Sequence, residues 1–302
     1  MSMKCGIVGI VGKANVGKSS LLNALIREKV SIVSPKPQTT RNNIIGILNE
    51  DECQIVFVDT PGIHSADSKL GDIMNKSAMS ATSDVDALIV MIDGSKPITE
   101  KDITFVKRFS VCKNVILVIS KTDLTTFERL YPYLKELNSL DFVSEIIPLS
   151  SHKNKNLDTL KTVLMKLLPD CNENELMFDK DMYTDKSIRF LVSEIVREKI
   201  LYLLQEEIPH GIAVNLIKYL EKDNVINIAC DIICEKDNHK QIILGRKGEK
   251  IKEIGTQSRL DIEKLVGKSV YLELFVKVIK DWKNKVALLT EMGYNNNGFE
   301  DN

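Results

Sequence analysis

The sequence is poor in several features that would point to other classes of protein. Six cysteines among 302 residues show no paired spacing, and tryptophan occurs once. A disulfide-stabilised secreted domain is therefore not expected, and a reducing cytoplasm is the natural setting. No stretch approaches the ~18 uninterrupted apolar residues of a membrane helix. Residues 1–12 also lack a signal or transit pattern, so we expect neither export nor membrane insertion.

Two cysteines lie close together late in the chain. Cys230 and Cys234, with His239 nearby, form part of a conceivable metal site. The two-residue cysteine spacing and a fourth ligand are missing, however. Buried strand cysteines are the better interpretation.

Net charge is nearly absent as well, because 41 Lys and Arg face 42 Asp and Glu, for a formal charge of -1. Bulk charge therefore says nothing about partners. The distribution is uneven, since residues 236–285 hold 13 basic against 7 acidic side chains, a net of +6. A late basic region of this kind is typical of a surface that meets phosphate groups.

The length and the apolar pattern predict two domains. A chain of 302 residues exceeds the size at which one core keeps growing. Within 1–169, short β-branched runs are mostly separated by amphipathic segments, which predicts a mainly parallel sheet with helices on both faces. The runs lie at 5–11, 44–48, 54–58, 87–92, 114–119 and 143–149, and the amphipathic segments include 18–28, 69–83, 99–110 and 156–168.

The pattern changes after Pro169. Residues 170–186 are acidic and aperiodic, which we interpret as a linker. Residues 187–294 predict a smaller α+β domain, and the polar residues 295–302 predict a disordered tail. Helices are expected at 187–205 and 249–266, and strands at 225–234, leading into Gly245, and at 269–278 before a last helix.

A phosphate-binding loop follows the first apolar run. The motif G-x-x-x-x-G-K-S stands between a strand-like and a helix-like segment. Its glycines allow successive N–H groups to face phosphate oxygens, while Lys18 would bridge the β and γ phosphates and Ser19 would ligate Mg²⁺. The predicted nucleotide contacts are Gly12, Lys13, Ala14, Asn15, Val16, Gly17, Lys18, Ser19 and Ser20.

A nucleotide site of this kind also needs an acidic residue beside the P-loop, at the end of a neighbouring strand. Asp59 ends an apolar run and opens the sequence Asp-Thr-Pro-Gly. Asp59 would hold Mg²⁺ through water, and the N–H of Gly62 would contact the γ phosphate. The polar segment 34–41 contains two prolines and predicts a mobile loop, in which Thr39 or Thr40 completes the Mg²⁺ shell.

The base is predicted by a tetrapeptide that resembles the Asn-Lys-x-Asp motif of guanine-binding proteins, Ser120-Lys121-Thr122-Asp123. Asp123 would accept hydrogen bonds from guanine N1–H and the N2 amine, which adenine lacks, so ATP should be rejected. Lys121 would lie along the base. The loop that resembles Ser-Ala-x, and whose backbone would meet guanine O6, consists of Ser150, Ser151 and His152.

Two substitutions in these base-binding loops depart from the usual pattern. Ser120 replaces an asparagine whose amide ties the P-loop to the base edge, and Ser151 replaces alanine. We expect weaker nucleotide affinity and unchanged specificity.

The position that orients the attacking water in Ras-like enzymes is occupied by Ile63. Isoleucine cannot orient water, so slow intrinsic hydrolysis is expected. Asn15 matches a P-loop asparagine that ligates a monovalent cation in related GTPases, and this suggests stimulation by potassium. His64 is close enough to be a candidate base, although a solvated loop histidine is the simpler interpretation.

A G-x-x-G loop with two basic central residues lies in the basic region, before an amphipathic helix. Such a loop lets a nucleic-acid backbone approach closely, and the flanking apolar groove accepts unstacked bases, as in KH domains. The predicted RNA contacts are Ile243, Gly245, Arg246, Lys247, Gly248, Lys250 and Lys252. Whether Lys252, Arg259, Lys277 and Lys280 extend this footprint or are solvated surface is left open.

Taken in order, these motifs resemble the Era family over residues 4–294. The resemblance implies an α/β P-loop GTPase domain followed by a KH domain of type II, with Thr40 as the Mg²⁺ ligand and Asn15, Lys18, Thr40 and Gly62 acting in hydrolysis. The segments that carry it are Pro37 to Arg41, Asp59 to His64, Ile195 to Lys199, Ile208 to His210, Gly245 to Gly248, Asp281-Trp282 and Gly293-Tyr294.

The same resemblance implies partners and a setting. Era proteins bind the 3′ end of small-subunit ribosomal RNA and assist maturation of the 30S subunit. We therefore expect GTP or GDP with Mg²⁺ as cofactors, the small ribosomal subunit as partner, and a cytoplasmic monomer. Peripheral association with the inner face of the membrane is also a family trait, although no anchor is visible here.

Two rival functions remain open at this stage. One is a constitutive RNA-binding protein whose nucleotide domain is structural, which Ser120 and Ile63 keep plausible. The other is a transport or motor ATPase, which Asp123 argues against because adenine offers it no donor.

Overall fold

A computed structural model describes residues 3–34, 36, 39–62, 68–80, 82, 84–204 and 211–294. The predicted tail 295–302 lies outside these ranges. Elements of the first domain are β1 (Met3–Gly12), α1 (Lys18–Ile26), β2 (Ile44–Glu50), β3 (Cys53–Asp59), α2 (Lys69–Ser80), β4 (Ala87–Asp93), α3 (Glu100–Lys107), β5 (Val115–Ser120), α4 (Phe127–Leu137), β6 (Val143–Pro148), α5 (Leu157–Leu167) and β7 (Asp170–Cys171). The second domain contains α6 (Ile188–Leu203), β8 (Ala213–Glu221), β9 (Val225–Cys234), α7 (Asp237–Leu244), α8 (Glu249–Val266), β10 (Ser269–Val278) and α9 (Val286–Glu291).

The first domain is built on one twisted sheet with strand order β2-β3-β1-β4-β5-β6. The pairs from β3 to β6 are parallel, whereas β2 runs antiparallel to β3. Separate apolar cores cover the two faces, one with side chains of α1 and α5 and the other with side chains of α3 and α4. The predicted fold class is therefore confirmed, and the strands read as continuous apolar runs because both faces are buried.

This topology places the loops that carry the motifs at one edge. The carboxyl ends of β1, β3, β4 and β5 meet there, which is where parallel α/β sheets bind ligands. Local sequence fixes the flanking helices as well. For example, α3 begins with a capping box in which Thr99 and Asp102 satisfy each other's backbone N–H groups.

Residues 170–184 pack along the first domain. β7 pairs antiparallel with the start of β1. The amide of Gln54 accepts from the N–H groups of Met177 (2.8 Å) and Phe178 (3.1 Å) and donates to the Phe178 carbonyl (2.7 Å). Thr184 donates to the carbonyl of Ile45 on the outer strand β2. The segment that we interpreted as a linker is thus held against the sheet by backbone contacts.

The second domain is a three-stranded sheet, β10-β9-β8, packed against α6, α7 and α8. β9 pairs in parallel with β10 and antiparallel with β8. Two expectations fail here. The predicted strand leading into Gly245 is the helix α7, because a short β-branched run such as Ile242-Ile243 suits either state and packing decides. Strand β8 was not predicted.

The cysteines show that the expectation of no disulfide was wrong and that Cys230 and Cys234 are buried strand residues, as predicted. Cys5 and Cys171 form a disulfide, with Cα atoms 5.7 Å apart. Their 166-residue separation leaves no local spacing to reveal the pair, which exists because β7 returns beside β1. Cys230 and Cys234 are buried, and the described residues contain no cluster of three or more His, Cys, Asp or Glu side chains that could hold a metal ion. Among the described residues, no helix has the length and apolarity needed to cross a membrane.

Candidate nucleotide site and nucleic-acid interface

The P-loop joins β1 to α1 and curls around the amine of Lys18. This amine donates to the carbonyls of Gly12 (3.2 Å) and Lys13 (3.1 Å), and the side chain is almost fully buried. Burial lowers the Lys18 pKa to about 8, against the opposing effect of Asp59. A buried amine held by two P-loop carbonyls is positioned to pair with phosphate charge.

The three predicted metal ligands meet beside this lysine. The hydroxyl of Ser19 lies 2.6 Å from Asp59 Oδ2 and 2.8 Å from Thr40 Oγ1. Asp59 is fully buried, and its Oδ1 has no hydrogen-bond partner within the described ranges. Burial raises the Asp59 pKa, while Lys18 and two hydroxyl donors oppose the rise. Buried carboxylate and hydroxyl oxygens in this arrangement fit Mg²⁺, which prefers such ligands.

The geometry also distinguishes the two candidate threonines. The Thr39 hydroxyl turns away and donates to the carbonyl of Lys36 (2.6 Å). Thr40 is 7% exposed and points at Ser19. The structure therefore places Thr40, and not Thr39, at the predicted Mg²⁺ site.

Gly62 lies directly against the P-loop. A Cβ atom at this position would come within 2.8 Å of Ala14 Cα and 3.0 Å of Ala14 N. Only glycine fits this approach without displacement. The Gly62 backbone is thus held beside the loop that would cradle the phosphates. Ile63 and His64, on which we based expectations about hydrolysis, lie outside the described residues, as do Pro37 and Gln38.

The base-binding loops are tied to each other. Ser150 Oγ donates to Asp123 Oδ1 (2.5 Å), and this bond lowers the Asp123 pKa and orients the carboxylate. The backbone N–H of Thr122 donates to the carbonyl of Leu149 (3.2 Å). Asp123 and His152 are exposed and Ser151 is half-buried, so this edge is open to a flat ligand.

Ser120 keeps part of the role expected of asparagine. Its buried hydroxyl lies 2.6 Å from the carbonyl of Val16 in the P-loop and 2.9 Å from the carbonyl of Ile92. The tie to the P-loop that we expected to be lost is therefore present. A hydroxyl carries one proton, so it donates to one of these carbonyls at a time, whereas an amide has two donors.

Sequence reasoning missed several supporting residues. Ser31, which is buried, donates to Asp59 Oδ2 (3.1 Å) and has no recognisable signal in the sequence. Asp93 binds Lys121 (2.7 Å), and Asp102 binds Lys13 (2.6 Å). Asp93 had a signal, because it ends an apolar strand at the same edge as Asp59.

The G-x-x-G loop joins α7 to α8 in the second domain. Gly245 has φ 73°, and a Cβ there would lie 2.6 Å from Lys250 Cβ. Arg246, Lys247 and Lys252 are exposed, while Lys250 pairs with Glu253 (2.7 Å). The loop thus presents basic side chains at the amino end of a helix, a combination that suits phosphate.

One predicted RNA contact has to be corrected. Ile243 is fully buried in the core of the second domain, so it cannot touch RNA. Its neighbour Ile242 is 46% exposed and is the apolar side chain of α7 that faces outward here. Adjacent side chains on a helix point in different directions, so α7 packs Ile243 into the core and leaves Ile242 at the surface.

Comparison with known proteins agrees with both sites. Residues 7–121 match the family model described as 50S ribosome-binding GTPase, and residues 207–283 match the KH domain. GTPase Era of Clostridium botulinum is 45% identical over 295 residues, covering 97% of this chain and 99% of the relative. The chain belongs to the Era family. It is therefore a GTPase, as its P-loop and Asp123 predict.

Two solved Era structures match the fold over both domains. Each has a TM-score of 0.91 and 40% identity, and covers 97% of this chain and 99% of its own. One is a variant of Aquifex aeolicus Era bound to GDP and aluminium fluoride. The other is Era in complex with MgGDPNP and nucleotides 1506–1542 of 16S ribosomal RNA.

Proposed function

We propose that this Era-family GTPase binds small-subunit ribosomal RNA near its 3′ end through the KH domain, in a manner governed by its nucleotide, and assists maturation of the 30S subunit. The observation that carries the proposal is that one chain joins the nucleotide site to the KH loop. Ser19, Thr40 and Asp59 converge beside the P-loop, and the KH loop exposes Arg246 and Lys247. The related Era structure bound to MgGDPNP and 16S RNA supports it.

On the nucleotide side, each group has a defined task. Lys18 would pair with the β and γ phosphates, Asp123 would select guanine, and Gly62 would sense the γ phosphate with its N–H. Ser19, Thr40 and Asp59 would hold Mg²⁺, which would neutralise charge on the phosphates. Because Thr40 and Gly62 meet only the triphosphate end, hydrolysis would release both.

On the RNA side, the exposed basic residues would hold the phosphate backbone. Arg246 and Lys247 supply charge, and Ile242 offers an apolar surface to a base. Lys252 lies in the first turn of α8, directly after this loop, and would extend the contact. The protein would work as a cytoplasmic monomer. Contact with a membrane surface has no support beyond the family trait.

Potassium is proposed as the activator of hydrolysis. Asn15 lies exposed at the rim of the P-loop with φ 63°. At this rim a monovalent cation would offset the charge that develops between the β and γ phosphates. Hydrolysis measured at equal ionic strength should be faster in potassium than in sodium, and equal rates would refute this role.

The deciding experiment is the affinity for a single-stranded fragment of the 3′ end of small-subunit rRNA, measured at fixed salt. It is measured once with a non-hydrolysable GTP analogue and once with GDP. Tighter binding with the analogue supports the proposal, since coupling between two sites is a difference in affinity. Equal affinities would instead favour a constitutive RNA-binding protein whose nucleotide domain is structural.

A further inference from the structure

The KH domain holds the segment that carries the Mg²⁺ ligand Thr40. Two consecutive residues of α6 contact the connection between α1 and β2, which carries Thr40. Glu198 accepts from the backbone N–H of Val33 (3.1 Å), and Arg197 donates to the carbonyl of Thr39. These contacts join residues 158 to 165 positions apart in sequence. Helix α6 therefore contacts the connection between α1 and β2 at Val33 and at Thr39.

Arg197 is built into this position. Its side chain is 1% exposed, and Glu194, one helical turn earlier, binds both Nε and Nη2. The fork leaves Nη2 directed at the Thr39 carbonyl. Nη1 is buried and has no hydrogen-bond partner in the ranges that the structure describes. Burying a guanidinium with one unpaired N–H group costs desolvation free energy that an apolar side chain would not, so packing alone does not explain Arg197.

Holding the Thr39 carbonyl also fixes the start of Thr40. The carbonyl of Thr39 and the N–H of Thr40 belong to one planar peptide group, so the bond from Arg197 sets the orientation of that plane. Thr40 then places its Oγ1 2.8 Å from Ser19 Oγ. A residue of the KH domain, Arg197, therefore helps to set the position of Thr40 in the first domain.

The residue after Thr40 is anchored as well. Arg41 donates to the carbonyl of Ile212 (2.7 Å), and its guanidinium lies 5.5 Å from the ring centre of Trp282 and 5.9 Å from that of Tyr294. It is 3% exposed. Thr40 is thus bracketed by two contacts with the KH domain, of which the Arg197 contact acts on its own peptide group.

We propose that Arg197 is a positioning residue for GTP hydrolysis, which from the KH domain orients the 39–40 peptide so that Thr40 stands at the Mg²⁺ site. The inference rests on the proposed role of Thr40 toward Mg²⁺. Because Thr40 acts only with the triphosphate, Arg197 should affect GTP hydrolysis and leave GDP binding alone.

The test compares Arg197→Met, which replaces the guanidinium but keeps an unbranched apolar stem, with Arg189→Met on the exposed side of the same helix. For Arg197→Met we expect kcat to fall about tenfold, the size of one lost charge-assisted hydrogen bond. The Mg²⁺ concentration for half-maximal hydrolysis should rise. GDP affinity should change less than about twofold, as for a neutral surface change. Arg189→Met should leave all three quantities unchanged.

A second pair of variants covers the case in which Arg197→Met does not fold. Glu194→Gln weakens the fork that aims Arg197 without touching the loop, and should shift kcat and the Mg²⁺ requirement in the same direction by less. Arg197→Lys retains a charged donor without the planar fork and should recover part of kcat. Unchanged kcat and Mg²⁺ dependence in folded variants would overturn the proposal, as would an equal loss of GDP affinity.

The outcome is separable from the function proposed above. If wild-type protein binds RNA equally with either nucleotide, the coupling between nucleotide and RNA fails, yet the Arg197 variants still report on hydrolysis. If wild-type hydrolysis does not depend on Mg²⁺, the assumed role of Thr40 fails first. The positioning role itself is refuted if hydrolysis by the wild type depends on Mg²⁺ and the folded Arg197 variants either are equally active or lose GDP affinity to the same extent.

Discussion

Substitution of Gly62 by alanine should separate GTP binding from GDP binding. The added Cβ would lie 2.8 Å from Ala14 Cα, whereas ordinary contact begins at 3.4 Å, so residue 62 must retreat from the P-loop by about 0.6 Å. A hydrogen bond from its N–H to the γ phosphate, normally ~2.9 Å, would lengthen to ~3.5 Å and be largely lost. Loss of one bond to a charged group costs about 1.5–3 kcal/mol, or roughly ten- to a hundredfold in affinity.

The assay is titration calorimetry with a GTP analogue and with GDP. Gly62→Ala should weaken binding of the GTP analogue by that factor. The affinity for GDP, which lacks the γ phosphate, should stay nearly unchanged. Gly255→Ala is the matched control, because a Cβ there meets only Leu274 Cδ1 at 3.6 Å. In helix α8 it should stabilise the fold by about 0.5–1 kcal/mol. Unchanged affinity for the analogue, or an equal loss for GDP, would refute the reasoning.

Three further predictions concern the base-binding loop, the KH loop and the cysteines. Ser120→Ala removes the hydroxyl donor that the carbonyls of Val16 and Ile92 share, and should weaken binding of GTP and GDP alike by about tenfold in calorimetry. The double variant Arg246→Glu with Lys247→Glu should weaken RNA binding and lower the salt slope of its affinity by about two, with hydrolysis unchanged. Denatured protein should show four reactive thiols while the disulfide between Cys5 and Cys171 is intact, and six after reduction.

Each of these has an outcome that would contradict it. Full nucleotide affinity in the Ser120 variant would mean that the hydroxyl does not hold the P-loop. RNA affinity that is insensitive to charge reversal in the KH loop would move the binding surface elsewhere in the chain. Six thiols in unreduced, denatured protein would mean that the two cysteines remain free.

Short stretches of the sequence are enough to predict several functional features of this protein. The P-loop works through consecutive backbone N–H groups between a strand and a helix, so the eight residues from Gly12 to Ser19 predict its chemistry. Asp59 and Asp123 follow apolar strands, and in a parallel sheet strand ends meet at one edge. The G-x-x-G loop is equally local. Fold class, nucleotide and domain order were therefore predictable from the sequence.

Other features depend on packing between distant parts. The sequence allowed either Thr39 or Thr40 as the Mg²⁺ ligand. In the structure Thr40 points at the site, and Arg197, 158 residues away, binds the carbonyl of Thr39. We also predicted Ile243 as an RNA contact, whereas the fold buries Ile243 and leaves Ile242 exposed. Short patterns report local backbone states, whereas which side chain faces a core, a loop or another domain is set by contacts that form only when the whole chain has folded.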